Sequence, residues 1–194
     1  MYKSSFKTLI TDYGQTVEQL AKVSLYPYSG KAVETDYIYE AETACQSAPA
    51  LIKLRENDLA LYHRGKSCGL NSYIQECRKA SLIDFIQASQ VEVTVLSDQA
   101  FSKIKNDLGP PHYTVHKNRQ IFKSPGDENI RACLDVFDNG KAYMEVQIQY
   151  ATREAAAKTN ARLMEHIALL NINAGDLVTL PYYKLAGNHP MPKQ

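Results

Sequence analysis

The chain contains no tryptophan, and no stretch of it approaches the length of an apolar membrane span. A crossing helix needs roughly 20 consecutive apolar residues, so no membrane partner is expected. Neither G-x-x-x-x-G-K-[ST] nor G-x-G-x-x-G occurs, which argues against nucleotide binding by either of those glycine-loop routes. Cysteine is sparse: Cys45, Cys68, Cys77 and Cys133 form no C-x-x-C pair, and no histidine sits at zinc-ligand spacing from them. Reduced, buried or half-buried thiols are the expectation. The five histidines have no serine or cysteine partner at motif spacing, so triad chemistry is unsupported. Met1–Ile10 carries Lys3 and Lys7 but no long apolar segment, so no secretory leader is read there and the cytoplasm is the expected location. Charge of one sign is not in excess either: 22 Lys+Arg stand against 21 Asp+Glu, a net charge of +1. That balance excludes wholesale attraction to duplex nucleic acid or to an acidic membrane, and any anion site must arise from local arrangement.

What is present suits a folded domain. The 194 residues are 44% hydrophobic and 22% charged, enough for a sizeable core. Val17, Leu20 and Val23 recur at helical spacing behind Asp12 and Gly14, which predicts a short helix over 11–25. Residues 35–40 read as a strand. Residues 50–56 and 59–64 read as a hairpin around Asn57-Asp58. A loop over 65–69, a strand over 71–77 and a brief helix over 81–88 are expected next. A strand over 91–96 follows, then a helix capped by Asp98 that ends at Gly109-Pro110-Pro111. Strands over 113–122, 130–137 and 142–150 are separated by turns at Pro125-Gly126 and Asn139-Gly140. The clearest helix runs over 153–170. The order predicts an α+β fold with a largely antiparallel sheet. One domain is expected over 1–187, with a polar, fraying tail over 188–194.

The strand faces are more informative than the strands. Side chains alternate with a period of two. Lys53 and Arg55 therefore share a face opposite Ile52 and Leu54. Lys117 and Arg119 share one, and His116 falls on the other. Arg131 and Asp135 oppose Ile130, Leu134 and Val136. Glu145 and Gln147 oppose Met144, Val146 and Ile148. Bases outnumber acids on these faces although the whole chain is nearly balanced. A solvated sheet face is one explanation. A sheet curled into a barrel, with the charged face enclosing an anion, is the other. Tyr37, Tyr39, Tyr62 and Tyr143 would stack a base or simply pack. Glu34, Glu40, Glu42 and Glu92 would be substitute metal ligands or, as is commoner, surface charges.

Several segments, in order, resemble the class IV adenylyl cyclases of the CYTH superfamily, the triphosphate tunnel proteins. Residues 36–39 (DYIY) resemble the family's D-T-Y-F strand, and 52–56 (IKLRE) its K-L-R-E strand. Residues 59–64 (LALYHR) resemble the arm that follows, with Lys66 and Ser72-Tyr73 in the basic loop beyond it. Residues 115–122 (VHKNRQIF) resemble V-x-K-x-R-x-x-Y. Residues 130–147 resemble R-x-x-L-D-x-V-x-x-L-G-x-F-x-E-x-E, and 163–185 the terminal helix and closing segment. The resemblance implies a closed antiparallel β-barrel with helices outside. It implies that Lys53, Arg55, Arg64, Lys66, Lys117, Arg119 and Arg131 bind phosphate. Catalytic roles would fall to Lys7, Lys117 and Arg119, and Glu145 with Asp135 would hold Mg²⁺ or Mn²⁺.

The departures fall on the metal ligands. The family opens with E-x-E-x-K, but here Lys3, Ser5 and Lys7 occupy those places. The closing E-x-E is reduced to Glu145 and Gln147. The bases are kept and the metal-binding carboxylates are largely lost. Three readings stay open at this level. The first is a nucleoside-triphosphate-processing enzyme, a cyclase or triphosphate hydrolase. The second is a protein that binds, senses or sequesters a nucleotide or oligonucleotide without turnover. The third is an interaction domain. A nucleotide or polyphosphate is the expected ligand in the first two.

Overall fold

Alternating apolar and polar residues dominate the chain, and the computed structural model turns most of them into strands. It describes residues 2–28, 30–41, 50–64 and 87–186. The strands are β1 (Tyr2–Ile10), β2 (Tyr26–Pro27), β3 (Ala32–Ala41), β4 (Ala50–Arg55), β5 (Ala60–Arg64), β6 (Gln87–Val95), β7 (Tyr113–Ser124), β8 (Asp127–Phe137) and β9 (Ala142–Tyr150). The helices are α1 (Tyr13–Lys22), α2 (Asp98–Leu108), α3 (Ala156–Leu169) and the single turn α4 (Tyr182–Leu185). The expected hairpin of β4 and β5 is present, with Lys53 opposite Tyr62 and Arg55 opposite Ala60.

The strands lie in the order β2-β7-β3-β4-β5-β6-β1-β9-β8, and β8 also pairs with β7. Every pairing is antiparallel. Apart from the two-residue β2, the sheet is therefore a curled row of eight strands. β1 sits between β6 and β9, with Lys7 opposite Glu145 and Ser5 opposite both Gln87 and Gln147. The sequence pattern alone did not mark this strand. YKSSFKT alternates polar with small or polar residues, so its period-two signal is weak.

One face of the curl is apolar and covered by helices. Phe6, Phe122, Leu134, Met144, Val146 and Ile148 pack with Leu20 of α1 and with Leu163 and Ile167 of α3. Burying side chains of this size stabilises the fold by about 1.5–3 kcal/mol each. Tyr39 and Leu54 pack against Phe101 of α2 in a smaller cluster. Tyr37 is a partly buried member of that cluster, so these two tyrosines pack toward helix α2, on the face of the sheet opposite Asp36.

The helix ends follow from their caps. Asp12 Oδ1 accepts the Gln15 backbone N–H at 2.9 Å and opens α1. At α2 the cap is Ser97, whose Oγ accepts from Ala100 N at 3.2 Å. Asp98, the expected cap, is instead the first helical residue, where its charge complements the helix dipole. Gly109 ends α2 with φ +70°, a conformation that strains any residue with a Cβ. The expected helix over 81–88 lies outside the described residues up to 86, and Gln87 and Ala88 belong to β6. The expected loop over 65–69, strand over 71–77 and tail over 188–194 also lie outside them.

Truncating a fully buried residue tests the covered face. Phe122→Ala is expected to lower unfolding free energy by about 3–5 kcal/mol, measured by urea denaturation. A loss under about 1 kcal/mol would mean that α1 and α3 do not pack there.

Candidate functional site

The opposite face of the same strands carries the charges. β1 contributes Lys3 and Lys7, β3 Glu34 and Asp36, β4 Lys53 and Arg55, β7 Lys117 and Arg119, β8 Arg131 and Asp135, and β9 Glu145 and Gln147. Most are buried: Lys117 is 2% exposed, Arg119 7% and Asp135 0%. Unpaired charges in such a place would cost many kcal/mol, so the sheet can hold them only in pairs or networks.

The network has two tight centres. Arg119 Nε and Nη2 both donate to Asp135, each at 2.6 Å, in a fork-to-fork pair. Arg55 donates to Asp36 in the same way, at 2.7 and 3.1 Å. Asp36 also accepts from Lys117 Nζ at 2.9 Å and lies 3.6 Å from Lys53 Nζ. Glu34 lies between them, within ion-pair distance of Arg55, Lys117 and Arg119. Lys3 donates to Glu145 Oε1 at 2.9 Å.

These contacts set the protonation states. Burial alone would raise the Asp36 carboxyl, but Lys53, Lys117 and Arg55 overcome it and hold the group well below its ordinary value. Asp135 is likewise lowered: Arg119 outweighs the effect of burial. Glu145 is pulled down by Lys3 and Arg119 against the same opposition. Lys53 moves the other way. Burial above all, and then the charges of Arg55, Lys117 and Arg119, bring it to about 7, although Asp36 opposes them.

One end of the charged face becomes apolar. Ile38, Val115, Phe137 and Tyr143 continue it and are covered by Tyr183 and Ala186. Tyr182 packs beside them, its ring 5.2 Å from Lys7 Nζ and 5.5 Å from Lys117 Nζ. The segment before α4 is tied to β1: Val178 N donates to the Lys7 carbonyl at 2.9 Å, and Lys7 Nζ donates to the Leu180 carbonyl. The Tyr182 hydroxyl is buried without a hydrogen-bond partner, as is Arg131 Nε. Burial, with Asp135 and Glu145 adding to it, pushes the Tyr182 phenol well above its ordinary value.

Of the residues that the sequence singled out, Lys53, Arg55, Lys117, Arg119, Asp135 and Glu145 share this face, and Lys7 and Arg131 join them. Arg64 is the last residue of β5, in register with Leu51 and Val91. Lys66 lies outside the described residues, as do Glu42 and three of the four cysteines. Cys133 is a buried free thiol, as expected. His116 is exposed on the other face of β7, where Nδ1 lies 3.1 Å from Thr35 Oγ1. Tyr143 packs into the apolar end of the face.

Strand alternation alone understates the acids of this face. Glu34 is buried in the network, not a surface charge, and Asp36 is its hub. A signal for both was available: two acids two residues apart, matching the i, i+2 bases of the neighbouring strands. Tyr182 was missed because no strand period marks it.

A divalent cation fits this set poorly. Mg²⁺ wants several hard oxygen ligands in near-octahedral array. Here both oxygens of Asp135 and both of Asp36 are taken by arginines, and Glu145 is taken by Lys3. No group of three or more ligating side chains occurs among the described residues.

No family model and no curated protein matches the chain by sequence. Solved structures do match its shape. A candidate adenylate cyclase from Vibrio parahaemolyticus superposes with a TM-score of 0.67 at 14% identity, covering 95% of this chain and 97% of that one. A protein from Pyrococcus horikoshii OT3 gives 0.66 at 12%, covering 94% and 98%. A chain of the Schizosaccharomyces pombe Mediator head module gives 0.60 at 12%, covering 91% and 98%. The chain therefore shares the fold of these proteins along nearly its whole length. At such identities the likeness is one of fold, and the activity must be argued from the interior side chains.

Acid should loosen the network. The lowered carboxyls contribute stability that is present in full above the ordinary carboxyl range near pH 4 and lost as pH falls through their folded-state values. Urea denaturation across pH 2–7 is expected to show this fall. Asp135→Ala should cost about 3–5 kcal/mol at pH 7 by stranding Arg119, and should flatten the acid limb. An unchanged acid limb would contradict the pairing.

Proposed function

We propose that the curled sheet closes around a tunnel, within a single domain spanning 1–187, and that the tunnel holds the polyphosphate of a nucleoside triphosphate. The observation that carries this reading is the pair of buried donors left without a partner, Arg131 Nε and the Tyr182 hydroxyl, on a wall where bases exceed acids. A multiply charged anion supplies acceptors for both. It also relieves the crowding of positive charge that helps bring Lys53 to about 7. Arginine and lysine bind phosphate oxygens through charge-assisted hydrogen bonds, and a dry interior strengthens them. The sequence resemblance to class IV adenylyl cyclases, together with the fold shared with a candidate adenylate cyclase, supports a nucleoside triphosphate as the ligand class.

Such a ligand would meet Lys117, Arg119, Arg55 and Lys53 along the wall, Arg131 beside them, and Lys7 with Tyr182 at the apolar end. In an active enzyme these bases would neutralise the phosphate oxygens and the charge that develops on transfer. One observation favours the second reading, retention without metal-assisted turnover. Each interior carboxylate described lies within ion-pair distance of a base, which leaves the network no vacant ligand set for a divalent ion.

Calorimetry at pH 7 with ATP, GTP and inorganic tripolyphosphate, with and without Mn²⁺, tests the reading. Binding indifferent to Mn²⁺ is expected, with no pyrophosphate, phosphate or cyclic product. Arg131→Gln and Tyr182→Phe should each weaken binding by about tenfold, the scale of one hydrogen bond to a charged group. No binding of any of the three ligands would end the proposal. Turnover that needs Mn²⁺ and disappears in Glu145→Ala would replace the retention reading by the enzyme one.

Proton linkage gives a second test. A bound anion raises the Lys53 pKa, so binding takes up a proton and weakens as pH rises above about 7. The same titration on Lys53→Met should lose that part of the pH dependence. An identical profile in both proteins would remove Lys53 from the site.

A further inference from the structure

Glu34 differs from the other acids of the network. Asp36 and Asp135 each accept two aligned hydrogen bonds from one arginine. Glu34 Oε2 instead has Arg55 Nη2 at 3.2 Å, Lys117 Nζ at 3.3 Å and Arg119 Nη1 at 3.4 Å around it. It is buried, yet none of the three approaches has hydrogen-bond geometry. Charge alone holds this oxygen, and three of the wall's cations point at it from two strands.

An oxygen surrounded by three cationic donors is the environment of a phosphate oxygen in a binding site. The backbone of β3 fixes the position of Glu34, while its side chain has rotatable bonds that can carry the carboxylate away. We infer that Glu34 is an internal counter-ion occupying the place of a ligand phosphate, and that a ligand must displace it to bind. The inference rests on the polyphosphate reading above and adds a selectivity to it. A carboxylate carries one negative charge. An orthophosphate, with one or two, gains little by exchanging places with it. A chain of three phosphates carries several charges, reaches further bases on the wall, and outcompetes it. Glu34 thus keeps the cations neutralised while the site is empty and reserves the site for polyphosphates.

A metal-ligand or scaffolding role for Glu34 makes the opposite forecast, since removal of the charge would then weaken binding. The experiment is calorimetric titration of the whole chain with inorganic tripolyphosphate and with orthophosphate, in wild type, Glu34→Gln and Glu34→Ala. Thermal unfolding of each protein without ligand establishes that it is folded. Both variants are expected to bind tripolyphosphate about tenfold more tightly than wild type, through loss of a like charge beside the ligand. They should also bind orthophosphate measurably where wild type does not. Tripolyphosphate binding that is unchanged or weaker in the folded variants, with wild type still binding, overturns the inference and leaves the polyphosphate reading standing. No binding in any of the three proteins removes that reading and the inference together.

Discussion

Ion pairing inside the sheet is the constraint on which the rest of the molecule depends. Strand alternation sends aliphatic side chains to one face and charged ones to the other. The aliphatic face folds easily under α1 and α3. The charged face is buried only because Arg119 meets Asp135 and Arg55 meets Asp36 in matched forks. The partners come from adjacent strands in register: Asp36 lies opposite Arg55, and Asp135 opposite Arg119. A slip of one residue would turn every such charge toward the helices. The pairing that makes the interior affordable therefore also fixes the register of the sheet.

Registry in turn organises the chemistry. Lys117 and Arg119 are two apart on β7, Glu34 and Asp36 two apart on β3, and Lys53 and Arg55 two apart on β4. Three neighbouring strands thus project a lattice of alternating sign. Its surplus is positive, and Glu34 Oε2 within it, like Arg131 Nε and the Tyr182 hydroxyl beside it, is buried without a hydrogen-bond partner.

Much of this was legible in the sequence because strands report their faces directly. The hairpin over 50–64, the turns at Pro125-Gly126 and Asn139-Gly140 and the grouping of Lys53, Arg55, Lys117, Arg119 and Asp135 all follow from a period of two plus turn chemistry. β1 was not legible from pattern, since Lys3, Ser5 and Lys7 alternate with Ser4 and Phe6 and give little contrast in polarity. Glu34 and Asp36 were underrated because a carboxylate on a strand is ordinarily solvated. Only the pairing of β3 with both β4 and β7 shows that bases flank it on each side. Closure of the apolar end by Tyr182 and Tyr183 depends on a late segment folding back across the sheet, which no local periodicity encodes.

That fold-back has a consequence for how the molecule is made. β1 is synthesised long before residues 178–180, yet the backbone of Lys7 is completed by Val178, and its ammonium by the carbonyl of Leu180. Until those late residues are synthesised, a buried lysine and an aromatic-lined opening stay exposed to water. Assembly of this end therefore waits for the segment that leads into α4, and a nascent chain stalled before it would leave the Lys7 carbonyl and ammonium to water.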